Sequence, residues 1–187
     1  RIEVASAGGY LSYENIADKA TVAGVEVEVR KNLFVRPVSS AANGMNKLSF
    51  GLNGSYIYTN AKMPLATVTT GSQLEGAAPW IANFDLSHNY TKGNHSFINT
   101  LVLNYVSDKI YTIGTQGYQD IMEQGIMTLD FVSQAKLNKY ISLTLKARNL
   151  LNPSYKLSRK ANESGEEVVL SDYKKGINIS LGVSCTF

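Results

Sequence analysis

Glu26 and Glu28 stand two residues apart in "GVEVEVRK", with Arg30 two further on. At strand spacing all three project from one face, so the carboxylates could share one cation or one cationic partner, or close an ion network with Arg30. A network is the commoner use of such a cluster. Asp85, Asp130, Lys146 and Arg148 are further charges inside otherwise alternating segments. This set does not make an active site. Serine is abundant, yet no G-x-S-x-G elbow and no phosphate loop occurs. His88 and His95 are the only histidines, too few for a histidine metal centre. His88 falls among apolar positions near a turn, where an amphipathic ring suits an interface. The one cysteine, Cys185, lies in the apolar register of the last segment and reads as a small apolar side chain. No enzyme, no metal and no cofactor is expected.

The elements that position these residues are strands. "INISLGVSCTF" places Ile177, Ile179, Leu181, Val183, Cys185 and Phe187 opposite Asn178, Ser180, Gly182, Ser184 and Thr186, period two without a break. The same alternation recurs in "TVAGVEVEVRK", "NKLSFGLNGSYIYTN", "PWIANFDLSHNY", "HSFINTLVLNY", "GIMTLDFVSQAKL" and "YISLTLKAR". Turn residues separate the blocks, and helical periodicity is hard to find. The predicted fold is all-β, one domain over residues 1–187, with about eight strands if a stub at Arg1 to Val4 is counted.

Connectors alternate in length. "KGNH" and "NK" are tight, whereas the stretches around residues 61–78, 108–124 and 151–171 are long and polar. Short turns at one end of a sheet and long loops at the other match an outer-membrane barrel. The connector from about Leu33 to Met45 is longer than that pattern expects of a turn.

The bulk numbers leave two solvents for the apolar faces. The chain of 187 residues is 44% hydrophobic and 10% aromatic, enough for a packed core or a lipid-facing band. Its net charge is only +3, with basic residues scattered, so nucleic acid is not a partner. No apolar run reaches the roughly 18 residues of a membrane helix. On the strand registers, Glu26, Glu28, Arg30, Lys47, Asp85, Asp130, Lys136, Lys146, Arg148 and Lys174 all fall on polar faces. Apolar faces carry charge only near strand ends, at Lys31 and Lys175. A sandwich core and a lipid-facing barrel both demand that segregation. The rings favour the barrel: Tyr58, Trp80, Tyr90, Tyr105 and Tyr173 lie near strand ends on the apolar register, as interfacial girdles require.

"YENIADKATVAGVEVEVRKNL" from Tyr13, "QLEGAAPWIANFDLSHNY" from Gln73, "LKARNLLNPSY" from Leu145 and the terminal "GVSCTF" resemble, in order and spacing, the last third of a TonB-dependent outer-membrane receptor, most like those of Bacteroidetes. The resemblance implies an antiparallel transmembrane barrel of about 22 strands, of which this chain is the C-terminal part, with plug and TonB box absent from it. It implies uptake of a scarce nutrient, such as an iron chelate, cobalamin or a glycan, across the outer membrane of a Gram-negative bacterium. Implied partners are outer-membrane lipid, the rest of the receptor with its plug, TonB through the missing N-terminal part, the barrel-assembly machinery and a surface lipoprotein. Glu26, Glu28, Arg30, Asp85, Asp130, Lys146 and Arg148 become candidates for the lumen face toward the plug. Tyr111, Tyr118 and Tyr155 become external-loop candidates for ligand, and Phe187 the barrel-assembly signal or a simple interfacial anchor. Two other readings stand beside this one: a self-contained small outer-membrane barrel with a structural or adhesive role, and a secreted carbohydrate-binding sandwich.

Overall fold

A computed structural model describes residues 19–38, 44–62, 73–114, 118–162 and 164–186, and within them the alternating blocks form eleven strands. These are β1 (Lys19–Pro37), β2 (Met45–Lys62), β3 (Trp80–Lys92), β4 (His95–Val106), β5 (Lys109–Thr112), β6 (Ile121–Glu123), β7 (Ile126–Lys136), β8 (Ile141–Arg148), β9 (Ser154–Lys160), β10 (Glu167–Lys174) and β11 (Asn178–Cys185). The expected stub at Arg1 to Val4, and Phe187, lie outside the described residues.

Seven strands pair antiparallel in the order β1-β2-β3-β4-β7-β8-β11, and four shorter ones pair as β10-β9-β6-β5. The second ladder continues the first, since β5 follows β4, β6 precedes β7, β9 follows β8 and β10 precedes β11. Register carries across the junction. Val106 pairs with Ile126 and Lys109 with Glu123, three steps on either strand. The molecule is therefore a wall of seven strands in which β4, β7, β8 and β11 run on through the second ladder to about the level that β1 and β2 reach at Lys19 and Lys62, while β3 stops short at Trp80.

Turn chemistry matches the tight end. Gly93, at φ 58°, begins the two-residue link between β3 and β4, the position where a hairpin of right-handed twist needs glycine. Asn138 Oδ1 accepts from the amides of Tyr140 and Ile141, both at 2.8 Å, and folds the chain back from β7 into β8. At the β1–β2 turn, Val38 N donates to Gly44 O at 3.0 Å.

Two connectors differ from expectation. The Leu33 to Met45 stretch is strand as far as Pro37, because β1 runs on after a bulge between Asn32 and Phe34. The bulge switches parity, which made the alternation look finished. The stretches 108–124 and 151–171 are largely the hairpins β5–β6 and β9–β10. Their alternation is cut from that of the wall at Asp108, Gly125 and Asn149 to Pro153.

The wall has one layer. Its strands make their main contacts with ladder neighbours, and among the described residues no large side chain is fully buried. Ile179, Leu181 and Val183 on β11 are 69%, 70% and 64% exposed. A sandwich needs a second sheet across a shared core, and the described residues supply none. The buried side chains among the described residues gather instead at the outer rim, the long-connector end: Thr59 and Ala61 on β2, Ala78, Ile110 on β5 and Ser158 on β9.

Candidate functional site

Residues paired directly across antiparallel strands point to the same side, so the ladder itself tests which charges share a face. Arg30 pairs with Gly51, Gly51 with Asp85, Asp85 with Val102 and Val102 with Asp130. One step along, Val132 pairs with Lys146, and Arg148 pairs with Asn178. Glu28 and Glu26 face Asn53 and Ser55. The seven charged candidates accordingly line one face, from β1 to β8.

Four of them meet. Arg30 Nη1 lies 3.9 Å from Asp85 Oδ1, across the whole width of β2, and Arg30 Nε donates to Glu28. Gly51 makes that reach possible, since a Cβ there would stand 2.3 Å from Asp85 Oδ1. Asn53 Nδ2 donates to Glu26 Oε1 at 2.6 Å, and Asn83 Nδ2 donates to Asn53 Oδ1 at 3.3 Å, extending the network onto β3. Two carboxylates share one guanidinium here and Glu26 stands beside them on Asn53, so carboxylates outnumber the guanidinium in this cluster of β1 to β3, while Lys146 and Arg148 make β8 basic.

Asp130 has a local task that the sequence did not reveal. Its Oδ1 accepts from Asn149 N at 2.8 Å, where the chain leaves β8. Phe131 pairs with Ala147 and Glu123 with Leu157, so eight residues on one strand span ten on its neighbour. The excess is taken up at Asn149 to Pro153. Asn149 and Asn152 adopt left-handed φ of 58° and 44°, a conformation asparagine tolerates better than most residues. Asn149 Nδ2 donates to Gly176 O at 2.7 Å, and Asn152 Oδ1 accepts from Gly176 N at 3.0 Å. The motif "RNLLNP" thus clamps the β8–β9 bulge to the β10–β11 junction. An even excess leaves the two faces unswitched.

At the outer rim the connector before β3 folds onto the charged side of the wall. Leu74 N donates to Thr59 Oγ1 at 3.1 Å, Gly76 N to Ile110 O at 2.8 Å and Ile113 N to Glu75 Oε1 at 2.8 Å. Beside it is an open cavity of about 530 Å³ whose lining includes Asp108, Asp120, Gln124, Ser158, Lys160 and Glu167. Ser158 donates to the Glu167 carboxylate and, with Lys156 and Gln124, holds it below the usual carboxylate range against a smaller opposing effect of burial. The three tyrosines separate. Tyr111 lies on β5, exposed; Tyr118 precedes β6, with the Arg159 guanidinium 4.9 Å over its ring. Tyr155 is on β9 rather than in a loop, stacked on Tyr173 at 5.5 Å with Lys175 Nζ 3.8 Å from its ring. Its register puts it with the apolar face.

That opposite face carries Val25, Val27 and Val29, then Leu52, Phe84, Leu103 and Leu129 in successive paired rows. Tyr56 and Trp80 meet at 4.5 Å toward the long-connector end, and Tyr90 and Phe97 at 6.4 Å toward the short turns. Trp80 and Tyr90 are ten residues apart on one strand. At about 3.3 Å per residue and a tilt near 40°, that spacing corresponds to about 25 Å of depth, the height of a lipid-facing apolar band.

A one-layer antiparallel wall, charged on one face and ringed by aromatics on the other, is the architecture of an outer-membrane β-barrel. A family model described as TonB dependent receptor-like, beta-barrel matches residues 1–150. The chain belongs to this family of TonB-dependent receptor barrels. No curated protein and no solved structure gives a match to it. Membership gives the chain an outer-membrane receptor role in a family of transporters that work with a plug and TonB.

Proposed function

We propose that this chain forms part of the barrel wall of a receptor that imports a scarce nutrient, an iron chelate, cobalamin or a glycan, across a Gram-negative outer membrane with energy delivered through TonB. The observation that carries this reading is the paired register: seven charged candidates on one face of a coreless sheet, and a lipid-suited face behind them. A larger barrel accounts for the end positions of β1 and β11 in the ladder, since strands in lipid need both neighbours. The remaining strands, the plug and TonB would then come from elsewhere in the receptor. Under this reading Glu26, Glu28, Arg30 and Asp85 meet a basic surface of the plug, and Lys146 and Arg148 an acidic one. Tyr111 and Tyr118 stand at the rim where ligand arrives. Phe187 serves the barrel-assembly machinery, and a surface lipoprotein covers the outer rim.

Deleting the gene and measuring growth on each limiting nutrient, with and without TonB, tests the transport reading. The expected result is one nutrient whose use fails in the deletion and fails equally without TonB. Unchanged growth on all of them would overturn it. The intact mass of the polypeptide in the outer-membrane fraction separates a large receptor from a small closed barrel, which would weigh near 20.4 kDa.

A further inference from the structure

The apolar face changes character near the short turns. In the row formed by Leu48, His88, Asn99 and Ser133, three neighbouring strands present polar side chains on the side that otherwise meets lipid. They are bonded in lateral pairs. His88 Nε2 donates to Asn46 Oδ1 at 2.9 Å, and Ser133 Oγ donates to Asn99 Oδ1 at 2.7 Å. In both pairs an asparagine oxygen accepts, so the amide nitrogens of Asn46 and Asn99 keep donors for which the described residues offer no acceptor. Polar groups at a lipid boundary are costly without a partner.

Cations follow nearer the turns. The β1 bulge switches Phe34 and Arg36 onto this face, where Arg36 pairs with Asn46 and lies 5.5 Å over the Phe34 ring. Lys92 pairs with His95 across the β3–β4 hairpin, two residues beyond the Tyr90–Phe97 pair and on the same side. Lys139, in the next turn, lies 4.7 Å over Tyr140. Among the described residues no Asp or Glu shares this face between the short turns and Glu123. Its charge is of one sign, and that sign selects an anion.

We propose that this face, at the short-turn end, seats the headgroup of an anionic phospholipid of the inner leaflet. The inference rests on the reading that the apolar face meets lipid. The order of groups along the strands fits the order of groups in the ligand. Leu86 and Leu101 meet acyl chain, the Asn99 amide donates at the depth of the glycerol esters, Asn46 and Arg36 reach the phosphate from the row of Tyr90 and Phe97, and Lys92 and His95 meet it one row nearer the turn. Arg36 offers two parallel N–H donors, which suit a phosphate better than an ammonium does.

The test uses the intact protein that carries these strands, reconstituted in vesicles of equimolar phosphatidylcholine and phosphatidylglycerol, extracted, and analysed for retained lipid by native mass spectrometry. Phosphatidylglycerol should be retained in preference. Arg36→Gln with Lys92→Gln and His95→Gln should lower the preference by about thirtyfold, about 1 kcal/mol for each of the two fixed cations, Arg36 and Lys92, near an anionic surface. Asn99→Leu should lower the retention of both lipids and leave the preference unchanged, because the glycerol esters it would contact are the same in the two. Lys109→Gln, on the same face at the far end beside Glu123, should leave it unchanged. Equal retention of the two lipids by the unaltered protein overturns the proposal while leaving the membrane reading intact. Failure to insert into either lipid alone overturns both.

Discussion

Leu181 on β11 is 70% exposed, while Ile110 on β5, a side chain of the same size, is 3% exposed. The first belongs to the wall and the second to the outer rim. In the wall the apolar side chains face the surrounding medium, so its strands hold one another by ladder bonds and lateral side-chain pairs, with no core behind them. At the rim the chain buries its own residues, because the connector before β3 folds over Thr59, Ala61 and Ile110. The wall's stability is thus a property of protein and bilayer together, and the rim's is a property of the chain.

The largest effect should come from placing charge on the two faces of the wall in turn. Leu101 lies midway between Phe97 and Tyr105 on the lipid side, and Leu101→Arg should cost about 2 to 4 kcal/mol in vesicles. Val102, the next residue, faces Asp85 on one side and Asp130 on the other. Val102→Arg should cost under about 1 kcal/mol, because it enters a polar, acid-flanked site. Urea unfolding in phosphatidylcholine vesicles measures both. Equal costs would abolish the assignment of faces.

The rim gives the next effect. Ile110→Ala removes a buried side chain and should cost about 2 to 5 kcal/mol locally, read as faster hydrogen exchange at the Gly76 amide that binds Ile110 O. That cost should be the same in detergent and in lipid. Leu181→Ala, of similar chemistry, should change in cost with the medium, since the medium supplies its contacts.

Much of the wall could be read from the chain. Strict alternation in Ile177 to Phe187 and in Met127 to Leu137 follows from one apolar and one polar neighbourhood, and period two records that directly. That the seven charged candidates share one face of the ladder follows from the same period. What period two cannot carry is register between strands. That Asp85 reaches Arg30 over Gly51 depends on which residues stand opposite, and no local pattern encodes it. The rim hairpins were missed because bulges and left-handed asparagines interrupt alternation where the wall ends. Asp130 reads in the sequence as a lumen-face candidate toward the plug, and only the folded bulge shows its carboxylate on the Asn149 amide.

Gly51 offers a sharper test of that hidden register. Gly51→Ala puts a methyl where the Asp85 carboxylate lies and should cost roughly 1 to 3 kcal/mol, much of it from displacing Asp85 from Arg30. Asp85→Ala frees the space. In a double-mutant cycle the two changes together should cost less than their sum by about 1 kcal/mol, as expected for residues in contact. Additive costs would mean that Asp85 does not cross β2.

The smallest effect belongs to the rim and is set by pH. Glu167 sits beyond Tyr173 on the far side of the apolar band, where the Ser158 hydroxyl and Lys156 hold its carboxylate below the usual range. A carboxyl group whose folded pKa is depressed adds stability that is fully present above its unfolded pKa and is lost as pH falls through the folded one. The β9–β10 hairpin should therefore keep its protection from hydrogen exchange, corrected for intrinsic rates, at neutral pH and lose part of it only in the acid range below ordinary glutamate titration. Glu167→Gln keeps the shape and removes the charge, so the hairpin should start less protected at neutral pH and show little of this acid loss. An identical acid loss in both proteins would assign the effect to another carboxylate, with Asp108 and Asp120, which accept from the Gly125 and Gly114 amides, the next to substitute.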